Sequence, residues 1–295
     1  MMSAAEIAQA LGGANPVGNG WMACCPAHDD RTPSLKIIDT EDGGVAVHCF
    51  GGCEWQMVLD ALKARGLMSG DASKVDHKEI ERRRADRARK NAEDIKCRIN
   101  RAKKIWAESV PVTGTIGETY LHSRRLSGPW PATLRFNASL FYQPGLILPG
   151  LVAPVTRWPD RHLCGVHRTY LRLDGTGKAG VASPRKALGV LHAAAIRLAP
   201  ASEHLVVGEG IESVLSAMEA TGLPGWAAVS AGGLERLALP DGVRQVTIAA
   251  DNDPTGIKAA EHAAAEWTSQ GRCVRVAIPP MPGADFNDVL SQRSA

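Results

Sequence analysis

From His204 onward the chain alternates between two hydrophobic periods. Short apolar runs, HLVVGEG, WAAVSA, VRQVTIAAD and VRVAIP, are separated by segments whose apolar positions recur at helical spacing, IESVLSAMEATG, LERLAL and TGIKAAEHAAAEWTSQG. Apolar runs bounded by turn residues read as buried strands, and strands joined through helices read as a parallel sheet covered on both faces. The pattern therefore predicts α/β architecture for this end of the chain.

Upstream the period changes. LRFN, LVAPVT and VHRTYLRLDGTGK alternate polar and apolar residues around a DGTG turn, which predicts antiparallel strands and hairpins. Before them, DHKEIERRRADRARKNAEDIKCRINRAKKIWAES holds no Pro or Gly and few apolar positions, among them Ile95, Ile99 and Trp106. It reads as a solvated connecting helix. The expected domains are a Cys/His-rich ribbon over 1–68, a basic helical linker over 69–109, a β-rich lobe over 110–200 and a parallel-sheet domain over 201–295.

Composition changes this picture little: 295 residues, 44% hydrophobic and 22% charged, are ordinary for a soluble globular protein. Charge adds more. The net charge is only +3, but Lys and Arg are concentrated between Lys78 and Lys104, which favours a polyanionic partner. No apolar run approaches a membrane span and MMSAAEIAQALGG lacks the regions of a signal peptide, so a cytoplasmic protein without membrane association is expected. In that setting the four cysteines clustered near the amino end read as candidate metal ligands rather than part of a disulfide framework, while lone Cys97, Cys164 and Cys273 read as packing residues.

The stretch CCPAHDDRTPSLKIIDTEDGGVAVHCFGGC pairs Cys25 with His28 and Cys49 with Cys53, each pair a tight knuckle, with PSLKIID and GVAVH available as ribbon strands. Four soft or borderline ligands suit one tetrahedral Zn²⁺ in a structural role. Cys24 and His48 are rival ligands one position away. The glycines after Phe50 favour Cys49, since they let the backbone turn sharply toward Cys53.

Acids gather at the ends of the predicted parallel strands: Glu209 after HLVVG, Asp251 and Asp253 in AADNDPTG, Asp285 and Asp288 in GADFND. The carboxyl ends of an open parallel sheet form its ligand crevice, and a set of oxygen donors there suits Mg²⁺ or Mn²⁺. The competing reading is that Asp253 caps the following helix and Asp251 faces water. Glu212, one helical turn beyond Glu209, either joins the set or faces solvent. GEGIES lacks a third glycine where a dinucleotide fingerprint needs one, and no phosphate-binding P-loop occurs.

GEGIES, AADNDPTG and GADFNDVL resemble, in order, the three motifs of the Toprim domain in phage and plasmid primases. The Cys25, His28, Cys49, Cys53 ribbon with its CPAHDDRTPSL opening resembles the zinc-binding domain of bacterial-type DNA primases, and IWAESVPVTGTIGETYL, HRTYLRLDGTGKA and PRKALG resemble the segment between. Two departures stand out: the Cys49 to Cys53 gap is one residue longer than in replicative primases, and the sequence stops soon after the third motif.

The resemblance implies a primase that joins ribonucleotides on single-stranded DNA. In it Glu209 acts as metal ligand or general base, Asp251 and Asp253 hold catalytic Mg²⁺ or Mn²⁺, and Asp285 and Asp288 complete the outer metal shell. Arg168, Lys178, Arg185 and Lys186 are the candidates for holding template or triphosphate phosphates, and Trp21, Phe50 and Trp55 for stacking on template bases. Nucleoside triphosphates, template and a separate helicase are the expected partners of a monomeric enzyme. The alternatives are a Toprim nuclease and a non-catalytic accessory that binds single-stranded DNA.

Overall fold

A computed structural model describes residues 2–40, 44–68, 77–159 and 161–292. It divides into two compact units, Met1–Arg89 and Lys90–Ala295. The linker's expected opening, residues 69–76, lies outside the described residues.

In the first unit, helix α1 (Ala4–Leu11) starts on a capping box in which Ser3 and Glu6 satisfy each other's backbone N–H groups. A four-stranded antiparallel sheet follows, β1 (Asn15–Val17), β2 (Gly20–Ala23), β3 (Leu35–Asp39) and β4 (Val45–Cys49), then helix α2 (Trp55–Ala64). Strands β3 and β4 are the two expected ribbon strands. Ile7, Leu35, Ile37, Val58 and Leu62 form a small core that also buries Cys25 and Cys49.

Helix α3 (His77–Ala107) spans the charged segment. Its carboxyl end departs from the expected solvated linker. Ala102 is fully buried and Ile105 and Trp106 pack on the neighbouring sheet, while the Arg135 guanidinium lies 4.1 Å from the Trp106 ring. The reason is local: Ala102, Ile105 and Trp106 make one short apolar stripe on an otherwise charged helix.

The rest of the second unit is β5 (Val110–Pro111), α4 (Ile116–Ser123), β6 (Arg135–Gln143), β7 (Leu146–Arg157), β8 (Leu163–Tyr170), β9 (Arg185–Gly189), β10 (Ala194–Arg197), β11 (His204–Gly208), α5 (Ile211–Thr221), β12 (Gly225–Ala227), α6 (Ala231–Leu234), β13 (Gln245–Ala249), α7 (Pro254–Ser269), β14 (Cys273–Ala277) and α8 (Phe286–Gln292). Strands β14, β13, β11 and β12 lie side by side and parallel. At β12 the sheet continues into the antiparallel β10, β7 and β6, so the expected β-rich lobe and parallel domain share one ten-stranded sheet. Helices α4 and α5 cover one face through Tyr120, Leu121, Ile211, Val214 and Leu215. Helix α7 covers the other through Ala259, Ala260, Ala263 and Trp267.

Two local expectations shift. The helix expected over LERLAL lies earlier, at α6, because Ser230 caps it by accepting from Gly233 N–H. The strand expected over WAAVSA ends at Ala227, since Val229 takes a left-handed backbone at φ 72°. Cys97 and Cys273 are exposed rather than packed.

Candidate functional site

In the ribbon, one ligand atom from each of Cys25, His28, Cys49 and Cys53 lies within 4.8 Å of every other. His28 turns Nδ1 toward the sulfurs, 3.2 Å from Cys53 Sγ, and places Nε2 3.8 Å from Asp30. Asp30 in turn accepts from Cys25 N–H at 2.6 Å and from the Ser34 hydroxyl at 2.6 Å. It stands on the outer side of the His28 imidazole, where a carboxylate commonly backs a metal-binding histidine, but beyond hydrogen-bond distance. Burial pushes the Cys25 thiol up to about 12. Burial also acts against the Cys49 thiolate, but hydrogen bonds from Cys53 N–H, Cys25 and Gly51 N–H outweigh it and hold Cys49 near 7.

The rival ligands fall outside this set. His48 alternates with Cys49 on β4 and is exposed, its ring edge-on to Phe50 at 4.8 Å. Cys24 donates its N–H to Gly12 and takes no part in the cluster. Gly51 is required here: a Cβ would come within 2.9 Å of His28 Cε1 and 3.4 Å of Cys49 Sγ. A four-ligand cage of three soft sulfurs and one borderline imidazole fits zinc or a similar thiophilic ion, with no place left for an exchangeable water. Phe50 and Trp55 stand exposed near it, whereas Trp21 packs against the ribbon core.

In the second unit the acids extend from adjacent strand ends. Gly208 and Ala249 pair in register, so Glu209 and Asp251 leave the sheet side by side. Asn252 N–H donates to the Ala284 carbonyl and Gly283 N–H to the Asn252 carbonyl, which brings the loop carrying Asp285 beside Asp251. Gly256 permits the tight start of α7, because a Cβ there would lie 2.7 Å from the Asp251 carbonyl oxygen.

Burial first, then Asp251 and Asp253, raise Glu209 to about 6. Burial, then Asp285 and Asp253, raise Asp251 to about 6 against the pull of Arg185. Asp251 Oδ1 is buried and has no partner among the described residues. Crowded carboxylates with an orphaned inward oxygen are a poor arrangement alone and a suitable one around a divalent cation. Their oxygen donors are of the type that suits Mg²⁺ or Mn²⁺, although among the described residues only the Cys/His set of the ribbon converges to metal-ligating distance.

Glu209, Asp251 and Asp253 line a cavity of about 470 Å³ whose other walls include His167, Arg185, Lys186 and Ser230. Asp253 also caps α7, accepting from Thr255 and Gly256 N–H through Oδ1. Asp285 and Asp288 cap one another's backbone and lie 3.9 and 3.8 Å from Arg124.

Glu212 neither joins the acids nor meets water. It is buried, accepts from Tyr120 Oη at 2.5 Å and pairs with Lys178 Nζ at 3.2 Å, which engages that lysine. Arg168 sits opposite Lys186 on β8 and β9, with its guanidinium 5.7 Å from the Tyr170 ring and outside the cavity lining. Lys186 lies 3.5 Å from the Tyr142 ring centroid while also lining the cavity. His167 was not singled out by the sequence. It lines the cavity almost fully buried, and burial holds its pKa near 4. Strand alternation in VHRTY was the available signal, since it sets His167 and Arg168 on opposite faces.

The comparisons with known proteins follow this division. Residues 204–295, the segment holding all five acids, match the family model of the Toprim domain. The carboxyl-terminal segment is a Toprim domain. Residues 96–198 match a domain of unknown function, DUF7146. No curated protein matches the chain.

Among solved structures the chain is similar to the zinc-binding and RNA polymerase domains of Aquifex aeolicus primase, at 15% identity and a TM-score of 0.40, covering 99% of this chain and 83% of that one. A DNA primase domain from Pseudomonas aeruginosa matches at 14% identity and 0.45, covering 66% and 74%. The primase fragment of the bacteriophage T7 primase-helicase matches at 18% and 0.41, covering 63% and 70%. In this chain the Toprim segment contributes β11 to β14 and the acids of the cavity, and the segment before it contributes Arg185 and Lys186.

Proposed function

We propose that the chain is a DNA primase, a DNA-directed RNA polymerase that starts short RNA primers on single-stranded DNA from nucleoside triphosphates. The observation that carries this reading is the shared cavity, with Toprim carboxylates on one wall and Arg185 and Lys186 on the other. Acids that hold a cation facing bases that hold phosphates is what nucleotidyl transfer requires.

Asp251 and Asp253 would hold a divalent ion, which would supply charge neutralisation at the reacting phosphate. The chain's own groups do the rest. Arg185 and Lys186 orient the triphosphate. Glu209 serves either as a further ligand or, left uncoordinated, as the general base that accepts the proton of the attacking 3′ hydroxyl, and Asp285 and Asp288, steadied by Arg124, support the metal ligands from outside. The amino-terminal ribbon holds structural zinc through Cys25, His28, Cys49 and Cys53 and offers exposed Phe50 and Trp55 for stacking on template bases. Arg168 contacts phosphate from outside the cavity, Lys178 acts through Glu212, and the enzyme works as a monomer beside a separate helicase.

The test is incubation of the purified chain with single-stranded DNA, labelled nucleoside triphosphates and Mg²⁺ or Mn²⁺, with products sized by gel. Labelled oligomers that require both template and triphosphates are expected. Shortened template formed without triphosphates would instead identify a Toprim nuclease.

A further inference from the structure

A second cavity, of about 400 Å³, lies at the opposite end of the parallel strands. Residues 199–201, which lead into β11, and Pro240, which precedes β13, wall it, whereas the Toprim acids follow those strands. None of the Toprim acids lines it, and no carboxylate does among the described residues.

Its chemistry is concentrated in two arginines and two tryptophans. Arg197 and Trp226 are cross-strand partners on β10 and β12, and the Arg197 guanidinium lies 4.8 Å from the Trp226 ring and 5.6 Å from that of Trp158. Trp226 is fixed by donating Nε1–H to the Ala199 carbonyl at 3.0 Å. Arg161, exposed, reaches within 5.8 Å of the Trp158 ring from a left-handed backbone at φ 57°. Trp158 itself is only partly buried.

Polar atoms in this lining lack partners. Arg197 Nε and Nη2 and Thr133 Oγ1 are buried with no hydrogen-bond partner among the described residues. Burial and the neighbouring Arg161 both hold the Arg197 pKa below its ordinary value. Indole faces compensate a buried guanidinium only in part. Two like charges with no counter-ion among the described residues of the lining are relieved by an incoming oxyanion.

Three features narrow the class of anion. A guanidinium fork matches phosphate oxygens, an indole and apolar walls suit a planar base, and the volume suits a nucleotide. We propose that this cavity is a second nucleotide site, separate from the Toprim cavity, in which Arg197 and Arg161 hold a phosphate and Trp158 stacks on the base. The phosphate belongs either to a free mononucleotide or to one nucleotide of a single strand. Nothing in this assignment depends on primase activity.

The test uses the full zinc-bound chain carrying Arg185→Gln to weaken binding in the Toprim cavity. Equilibrium dialysis with labelled AMP and anisotropy with a short labelled oligothymidylate report the two sources. Adding Arg197→Gln should weaken one of them about tenfold, and adding Arg161→Gln should weaken the same one several-fold, because each removes a charged hydrogen-bond donor. Loss of AMP binding assigns a free nucleotide, and loss of oligonucleotide binding assigns a strand. Arg161 is exposed, so its variant remains informative even where Arg197→Gln fails to fold. Unchanged binding of both probes in the Arg161→Gln chain would overturn the proposal, as would displacement of AMP by inorganic phosphate at equal concentration, which leaves no role for the base.

Discussion

Tyr120 Oη donates to Glu212 Oε1 at 2.5 Å, a contact between α4 and the first turn of α5. Burial would raise Glu212, but Lys178 and then Tyr120 outweigh it and bring its pKa to about 2. A depressed carboxylate pKa stabilises the fold above the unfolded value and loses that contribution as pH falls through the folded one. Glu212→Gln should cost roughly 2–4 kcal/mol in urea unfolding near neutral pH, since it leaves Lys178 without its counter-charge, and should flatten the acid limb of the stability curve. Tyr120→Phe should cost about 1–2 kcal/mol. A neutral result for Glu212→Gln would mean the pair contributes little.

Asp251 and Asp253 should separate by variant. Asp251→Asn removes charge from an oxygen that has no other partner, and should lower primer synthesis about a hundredfold or more while leaving the metal-free melting temperature unchanged or raised. Asp253→Ala should lose synthesis and in addition about 1 kcal/mol of stability, because the carboxylate also caps α7. Asp253→Asn keeps the cap and should retain the stability. Normal primer yield from both asparagine variants would remove the metal-binding role from these residues.

Glu209 and Asp251 both rest near 6 without metal. Raised carboxylate pKa values mean that the folded chain binds more protons than the unfolded one between the ordinary value and about 6, so metal-free stability should fall as pH rises through that window. Divalent ions compete with those protons. Half-saturating Mg²⁺, followed by calorimetry, should therefore be roughly tenfold lower at about pH 7.5 than at about pH 5.5. A flat profile would show that these carboxylates do not bind the ion.

Metal analysis of Cys49→Ser should show near-complete loss of zinc, with unfolding of the ribbon, because a unit with so small an apolar core depends on its metal. Asp30→Asn should keep zinc but weaken it about tenfold or more, through loss of the carboxylate behind His28. Stoichiometric zinc retained by Cys49→Ser would exclude the four-residue ligand set.

The parallel strands and their crossovers were legible because apolar runs and helical periods alternate cleanly from His204 onward. A four-ligand Cys/His set was legible through spacing, but Cys24 and His48 remained rivals until the fold gathered Cys25, His28, Cys49 and Cys53. What sequence did not reveal depends on contacts between distant segments. Glu212 looked like a surface acid one turn from Glu209 until Lys178 and Tyr120, far off in sequence, closed over it. The packing of Ala102 was hidden by the charge around it, and the early end of β12 follows from the unusual backbone of Val229. Asp30 lay in plain view, but only the fold shows that its oxygen faces His28.

The antiparallel pairing of β10 with β12 has a consequence for how such a chain can be divided or inherited. A gene cut between residues 198 and 204 would separate the two matched segments neatly in sequence. Each fragment would then carry a raw edge, β10 on one and β12 on the other, with unpaired backbone groups and buried neighbours turned to solvent. Such halves should aggregate unless co-expressed, and recombination that exchanges one half should succeed only where the seam strands still match.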